Sequence, residues 1–135
     1  MFEKLVSKIK IVEVGPRDGL QNEKKIVGTS DKIIFIQKLI DCGLKTIEVG
    51  SFVTPEKIPQ MDDSAQVLRA SLTNKSISFP TLVPNLYGLK RAMEVGAREI
   101  SVFTATSETF NKKNINATIG ESLLRIKDVT KRQKK

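Results

Sequence analysis

Arg17 and Asp18 stand side by side just beyond a β-branched run, residues 9–14 (IKIVEV), and Glu48 lies in a second such run, residues 45–49 (KTIEV). If both runs are parallel strands, their carboxyl ends put one arginine and two or three carboxylates, Glu13 among them, on a single rim. Parallel-sheet enzymes carry their chemistry on that rim. Hard divalent cations such as Mg²⁺ favour carboxylate oxygens and water, so a metal-assisted site is one reading of the cluster. An exposed Arg-Asp surface pair, worth little, is the other. The loop after Arg17-Asp18 exceeds the usual length of about 2–6 residues for a strand-to-helix connection, which favours function. The chain has no histidine, so a Ser-His-Asp triad, a Cys-His dyad, a His-ligated zinc site and an imidazole base are all excluded for this chain alone.

The elements that must position these residues alternate along the chain. After the first run and its long polar loop, Ser30 is expected to cap a helix through Ile33, Ile36 and Ile40, ended by Cys42-Gly43 with glycine at the left-handed position. Cys42 is expected to be buried and structural. In the second strand Glu48 and Thr46 alternate with Ile47 and Val49. If the apolar pair packs on helices, Glu48 faces the barrel interior, and Ser51 follows it out of the strand. Asp62 or Asp63 opens a helix containing Val67 and Leu68. Pro80 starts a third strand through Val83, Pro84-Asn85 leads into a helix closed by Gly96, and residues 99–103 (EISVF) form a fourth strand leading to Thr104, Thr106 and Ser107. Thr118 and Glu121 have capping-box spacing before a last helix with Leu123, Leu124, Ile126 and Val129. The order is βαβαβαβα, which implies an α/β fold with a parallel sheet covered by helices.

The chain has 135 residues, one cysteine, no tryptophan and a net charge of +8. One cysteine cannot form an internal disulfide and suits a reducing compartment. With no leader-like start and no long apolar run, the expectation is a cytoplasmic protein without a membrane partner. From Arg125 onward six basic residues face one acid, so we divide the chain into residues 1–124 and a basic helix end or tail, 125–135. A nucleic-acid partner is not expected: there is one tyrosine and no recognisable binding motif.

The run Val12-Glu13-Val14-Gly15-Pro16-Arg17-Asp18-Gly19-Leu20-Gln21-Asn22-Glu23 resembles the first strand and loop of the 3-hydroxy-3-methylglutaryl-CoA lyases, in the DRE-TIM metallolyase superfamily. The resemblance continues through Ile47-Glu48, Ser51-Phe52-Val53, Ile58-Pro59-Gln60-Met61-Asp62, Pro84-Asn85-Leu86, Ser107-Glu108 and Lys112-Lys113-Asn114-Ile115-Asn116. It covers about residues 9–126 and leaves the lysine-rich end outside. It implies a (β/α)₈ TIM barrel, of which this chain supplies about four units, and Mg²⁺- or Mn²⁺-assisted cleavage of 3-hydroxy-3-methylglutaryl-CoA to acetyl-CoA and acetoacetate, as in leucine degradation and ketone-body formation. It further implies that Arg17 stabilises the enolate oxygen and contacts substrate, Asp18 is a metal ligand, Glu48 is catalytic, Gln21 and Ser51 contact the CoA-thioester substrate, and Glu13 supports the site.

The family's remaining metal ligands, a His-x-His pair and an asparagine, come from the second half of its barrel, as does its catalytic cysteine; the sequence contains none of them. The expectation is therefore an N-terminal half-barrel with negligible lyase activity alone, whether remnant, fragment or half of a split enzyme. Its open sheet edges invite pairing with another copy or a second polypeptide. A non-catalytic, self-associating half-barrel is the alternative.

Overall fold

A computed structural model describes residues 7–133 of the chain; Lys134 and Lys135 of the basic run lie outside it. Four chain segments lie parallel in sequence order. Residues 80–82 and 99–101 form a regular two-stranded ladder, β1 (Pro80–Leu82) and β2 (Glu99–Ser101), with Leu82 opposite Ser101. The two earlier segments join through isolated parallel bridges, Glu13 with Ile47, Thr46 with Ser78, and Ser51 with Leu82.

The expected first strand is thus reduced to one bridge. Glu13 donates its N–H to Thr46 O and accepts from Glu48 N at its own carbonyl, whereas Ile9, Ile11 and Val12 are exposed. An outer segment has a neighbour on one side only, so it gains half the ladder bonds that would flatten it onto the sheet.

Helices cover one side. Helix α1 (Thr29–Asp41) begins two residues earlier than expected, with Gly28 rather than Ser30 at its N-cap. Its apolar positions recur at helical spacing, and Ile36, Leu39 and Ile40 pack on the core. It ends as the sequence predicts: Gly43 takes φ of 92°, and Gly96 after α3 (Leu86–Val95) takes 93°, a region L side chains avoid. Cys42, however, is exposed. It terminates α1 on the outer side of the turn, so its expected burial is not met.

Helix α2 (Ser64–Ser71) inserts Val67 and Leu68 into the centre of the core. Burying side chains of this size contributes roughly 1.5–3 kcal/mol each. Asn85 caps α3 by accepting Gly88 N–H at Oδ1, 2.9 Å away. Ile47, Val49, Phe79 and Val83 meet these helices from the sheet, which leaves Glu48 on the opposite face.

One helix was not expected. Residues after β2 fold into α4 (Glu108–Ile115), where Ser107 Oγ accepts Phe110 N–H as an N-cap. The signal, a serine followed by glutamate, was present but short. Helix α5 (Ile119–Gln133) starts at the expected capping box and runs without a break through residue 125, so residues 125–133 of the basic segment form its later turns. Ser122 and Val129 of α5 face inward; Leu123 and Leu124 are exposed. Among the described residues no helix is long and apolar enough to cross a membrane.

Candidate active site

The loop that follows the first segment closes into a π-helical turn, Gly15–Gly19, with Pro16 buried at its start. Asp18 N–H bonds Val14 O at 2.7 Å, and Gly15 N–H is held by Glu13 Oε1 at 2.6 Å. Glu13 therefore shapes the turn that carries Arg17 and makes no bond to Arg17 itself. A Cβ at position 15 would stand 2.8 Å from the Glu13 carboxylate, so a larger residue there would push that carboxylate aside.

The turn aims Arg17 across to the second segment. Its Nε donates to Glu48 Oε2 at 2.6 Å and its Nη1 to Asp18 Oδ1 at 2.7 Å. The Glu48 side chain is 5% exposed and Arg17 18%, whereas Asp18 is 55% exposed. The first pair is a desolvated ion pair; the second is open to water. The other oxygen of Glu48 accepts from the hydroxyl of Ser101, on β2. Among the described residues nothing bonds Arg17 Nη2, so the guanidinium presents free donors while its plane is fixed on two sides.

Arg17, Asp18 and Gln21 line one wall of a cavity of about 780 Å³. Lys57, Lys113 and Arg125 are among its other lining residues, so the wall carries four cationic side chains and one carboxylate. Apolar area comes from Phe52, Val83 and Phe103. The cavity suits an anionic ligand with an apolar stretch. Gln21 Oε1 is buried and without a hydrogen-bond partner, an acceptor left for a donor that the described residues do not supply.

Ser51 is placed differently. It is 1% exposed, does not line the cavity, and accepts Val53 N–H at Oγ while its own N–H bonds Ser64 Oγ at 3.0 Å. It orders the loop after the second segment rather than facing a ligand. Behind the rim, the buried Lys32 bonds Asp63 Oδ1 and Gln60 O, each at 2.5 Å, and Gln60 Nε2 reaches Glu23 O. Asp63, expected only as a helix start, thereby ties α1 to the start of α2, and Gln60 ties the two rim loops together. Neither Ser101 nor Lys32 had a signal in the sequence, because each acts through a partner more than 25 positions away.

The donor set of the site decides whether it could hold a divalent cation. Among the described residues no three His, Cys, Asp or Glu side chains come together as a ligand group. Asp18 offers one exposed carboxylate, and Glu13 and Glu48 are committed to Gly15, Arg17 and Ser101. These residues do not fit a complete metal centre.

Residues 8–135 match the family model described as HMGL-like. The match runs through the lysine-rich end. Hydroxymethylglutaryl-CoA lyase, mitochondrial, of Macaca fascicularis is 50% identical over 130 residues, 96% of this chain and 40% of that protein. The 3-hydroxy-3-methylglutaryl-CoA lyase, cytoplasmic, of Rattus norvegicus is 54% identical over 90% of this chain and 35% of its own. The crystal structure of hydroxymethylglutaryl-CoA lyase from Pseudomonas aeruginosa superposes with a TM-score of 0.88 at 45% identity, over 94% of this chain and 42% of that one. An HMG-CoA lyase from Acinetobacter baumannii, solved in complex with coenzyme A and 3-methylmalate, gives a TM-score of 0.85 at 36% identity, over 91% and 40%. The chain thus spans about 40% of the length of the first of these relatives.

Proposed function

The chain belongs to the HMGL-like family, and we propose that its rim is the arginine-bearing part of a hydroxymethylglutaryl-CoA lyase site. The observation that carries this reading is Arg17: Nε and Nη1 are held by Glu48 and Asp18, and Nη2 is free beside a cationic cavity. In a retro-Claisen cleavage the carbon–carbon bond breaks and negative charge gathers on the thioester oxygen of an acetyl-CoA enolate. A fixed guanidinium beside that oxygen stabilises the transition state more than the ground state, and it needs no reorganisation at the moment of reaction. Glu48 keeps the cation in place, Glu13 holds the turn, and Gln21 offers its unpaired amide oxygen to a ligand donor. Asp18, as the exposed carboxylate, is the residue of this chain available to a divalent cation.

Titration calorimetry of the chain with 3-hydroxy-3-methylglutaryl-CoA tests the reading. Binding is expected, weakened about tenfold by Arg17→Ala, the size of a lost charge-assisted hydrogen bond. Absence of binding, or binding indifferent to Arg17, refutes it. The cytoplasm is our reading of location, supported by relatives named cytoplasmic, beside which mitochondrial ones stand.

A second reading is favoured by the two outer segments of the sheet. Ile9 and Ile11 are exposed on one side, and Val102 and Phe103 on the other, and exposed apolar edges pair readily. Under this reading the chain associates with a copy of itself or with a second polypeptide. Sedimentation of the purified chain as a monomer at all concentrations would refute self-association.

A further inference from the structure

We propose that Ser101 is a positioning residue: its hydroxyl locks the Glu48 carboxylate in the orientation that aims Arg17 at the cavity. The inference rests on the reading of Arg17 as the ligand-facing cation, and it assigns a part in the site to β2.

Glu48 has two carboxylate oxygens and two partners. Oε2 takes the Arg17 Nε–H and Oε1 takes the Ser101 hydroxyl. The side chain is 5% exposed, so bulk water does not replace either partner. A carboxylate held at one oxygen can turn about its last torsion, which is broad and has no sharp staggered wells. Held at both, it cannot. The Arg17 plane then follows, because Nε–H and Nη1 are both engaged and only Nη2 is left to point outward.

The reach of Ser101 follows from the fold. Residues 80–82 lie between the Glu48 segment and β2, so these two are next-but-one neighbours in the sheet. In a closing barrel, inward side chains meet in layers drawn from alternate strands. Glu48 and Ser101 share such a layer. The height of Ser101 within it is set by the β1–β2 register, with Leu82 opposite and Val83 N–H donating to Ser101 O at 2.9 Å. The Ser101 hydroxyl bonds nothing else among the described residues. In the sequence Ser101 is merely the polar position between Ile100 and Val102, an alternation that any half-buried strand would show.

The test is hydrogen exchange of the Arg17 Nε–H in the ¹⁵N-labelled chain without ligand, the signal being assigned by its loss in Arg17→Lys. Ser101→Ala is expected to speed this exchange about tenfold while Ser101→Thr, which keeps the hydroxyl, stays within about threefold of the parent. In a Glu48→Gln background Ser101→Ala is expected to add nothing, since the route through Glu48 is already cut. Unchanged exchange in Ser101→Ala overturns the proposal, as does equal loss in Ser101→Thr or a further rise on top of Glu48→Gln. A rise matched by the Leu82 and Val83 backbone amides also overturns it, because that marks general loosening of the strand. The measurement needs no ligand, so a chain that failed to bind the acyl-CoA would refute the functional reading without touching this result.

Discussion

Arg17 Nε and Glu48 Oε2 lie 2.6 Å apart across 31 positions of sequence, and the glutamate is almost wholly withdrawn from water. This pair joins the turn after the first segment to the second. Removing either partner strands the other in a place built for a charge.

Glu48→Gln is expected to lower stability by about 2–3 kcal/mol, since Arg17 loses a charged partner but retains some access to water. Urea unfolding of the variant measures it. A shift in midpoint under a few tenths of the predicted size would show that the pair is not coupled to folding.

Lys32→Ala should cost about 3 kcal/mol, because the buried amine holds Asp63 and the Gln60 carbonyl together and its loss leaves the Asp63 carboxylate without its charged partner. The same variant should increase proteolysis in the loop around residues 54–60. Unchanged cleavage there would separate the ion pair from the order of the rim loops.

The capping box gives a pH dependence with a definite sign. The Thr118 backbone N–H, and then its hydroxyl, hold the Glu121 carboxyl below the usual glutamate range. Its folded value lies under its unfolded one, so the contribution to stability is present above the ordinary glutamate value and fades as pH falls through the lowered folded value. Carboxyl-carbon NMR titration should place Glu121 below the ordinary glutamate value, and Thr118→Ala, which removes the hydroxyl but keeps the backbone N–H, should bring it only part of the way back. That substitution is expected to cost about 1 kcal/mol at neutral pH.

Gly96→Ala should destabilise by about 1–2 kcal/mol, since φ of 93° is strained for any residue with a Cβ. Thermal unfolding reads the change. Gly28→Ser at the α1 N-cap serves as the contrasting case, expected to stabilise, because its extended backbone suits a capping hydroxyl.

Magnesium should raise the melting temperature little. A single exposed carboxylate, Asp18, binds the ion weakly, and stabilisation by a ligand grows only once its concentration exceeds the dissociation constant. A rise of several degrees at about 1 mM Mg²⁺ would reveal a tighter site than these residues provide.

The amino-acid sequence by itself determined the glycine stops at 43 and 96 and the Thr118–Glu121 box, because each depends on neighbours within four positions. It also determined that Glu48 would face away from Ile47 and Val49, since side chains alternate along an extended segment whatever surrounds it. Only the tertiary structure decided what these side chains meet. Ser101 finds Glu48 across 53 positions, Lys32 finds Asp63 across 31, and Ser51 turns under the rim rather than onto it. Cys42 came out exposed for the same reason: its pattern says where a helix stops, and packing says which side of the stop meets water. Periodicity and capping are local and can be read along a chain, whereas contact between distant segments depends on register and twist, which no short stretch of sequence specifies.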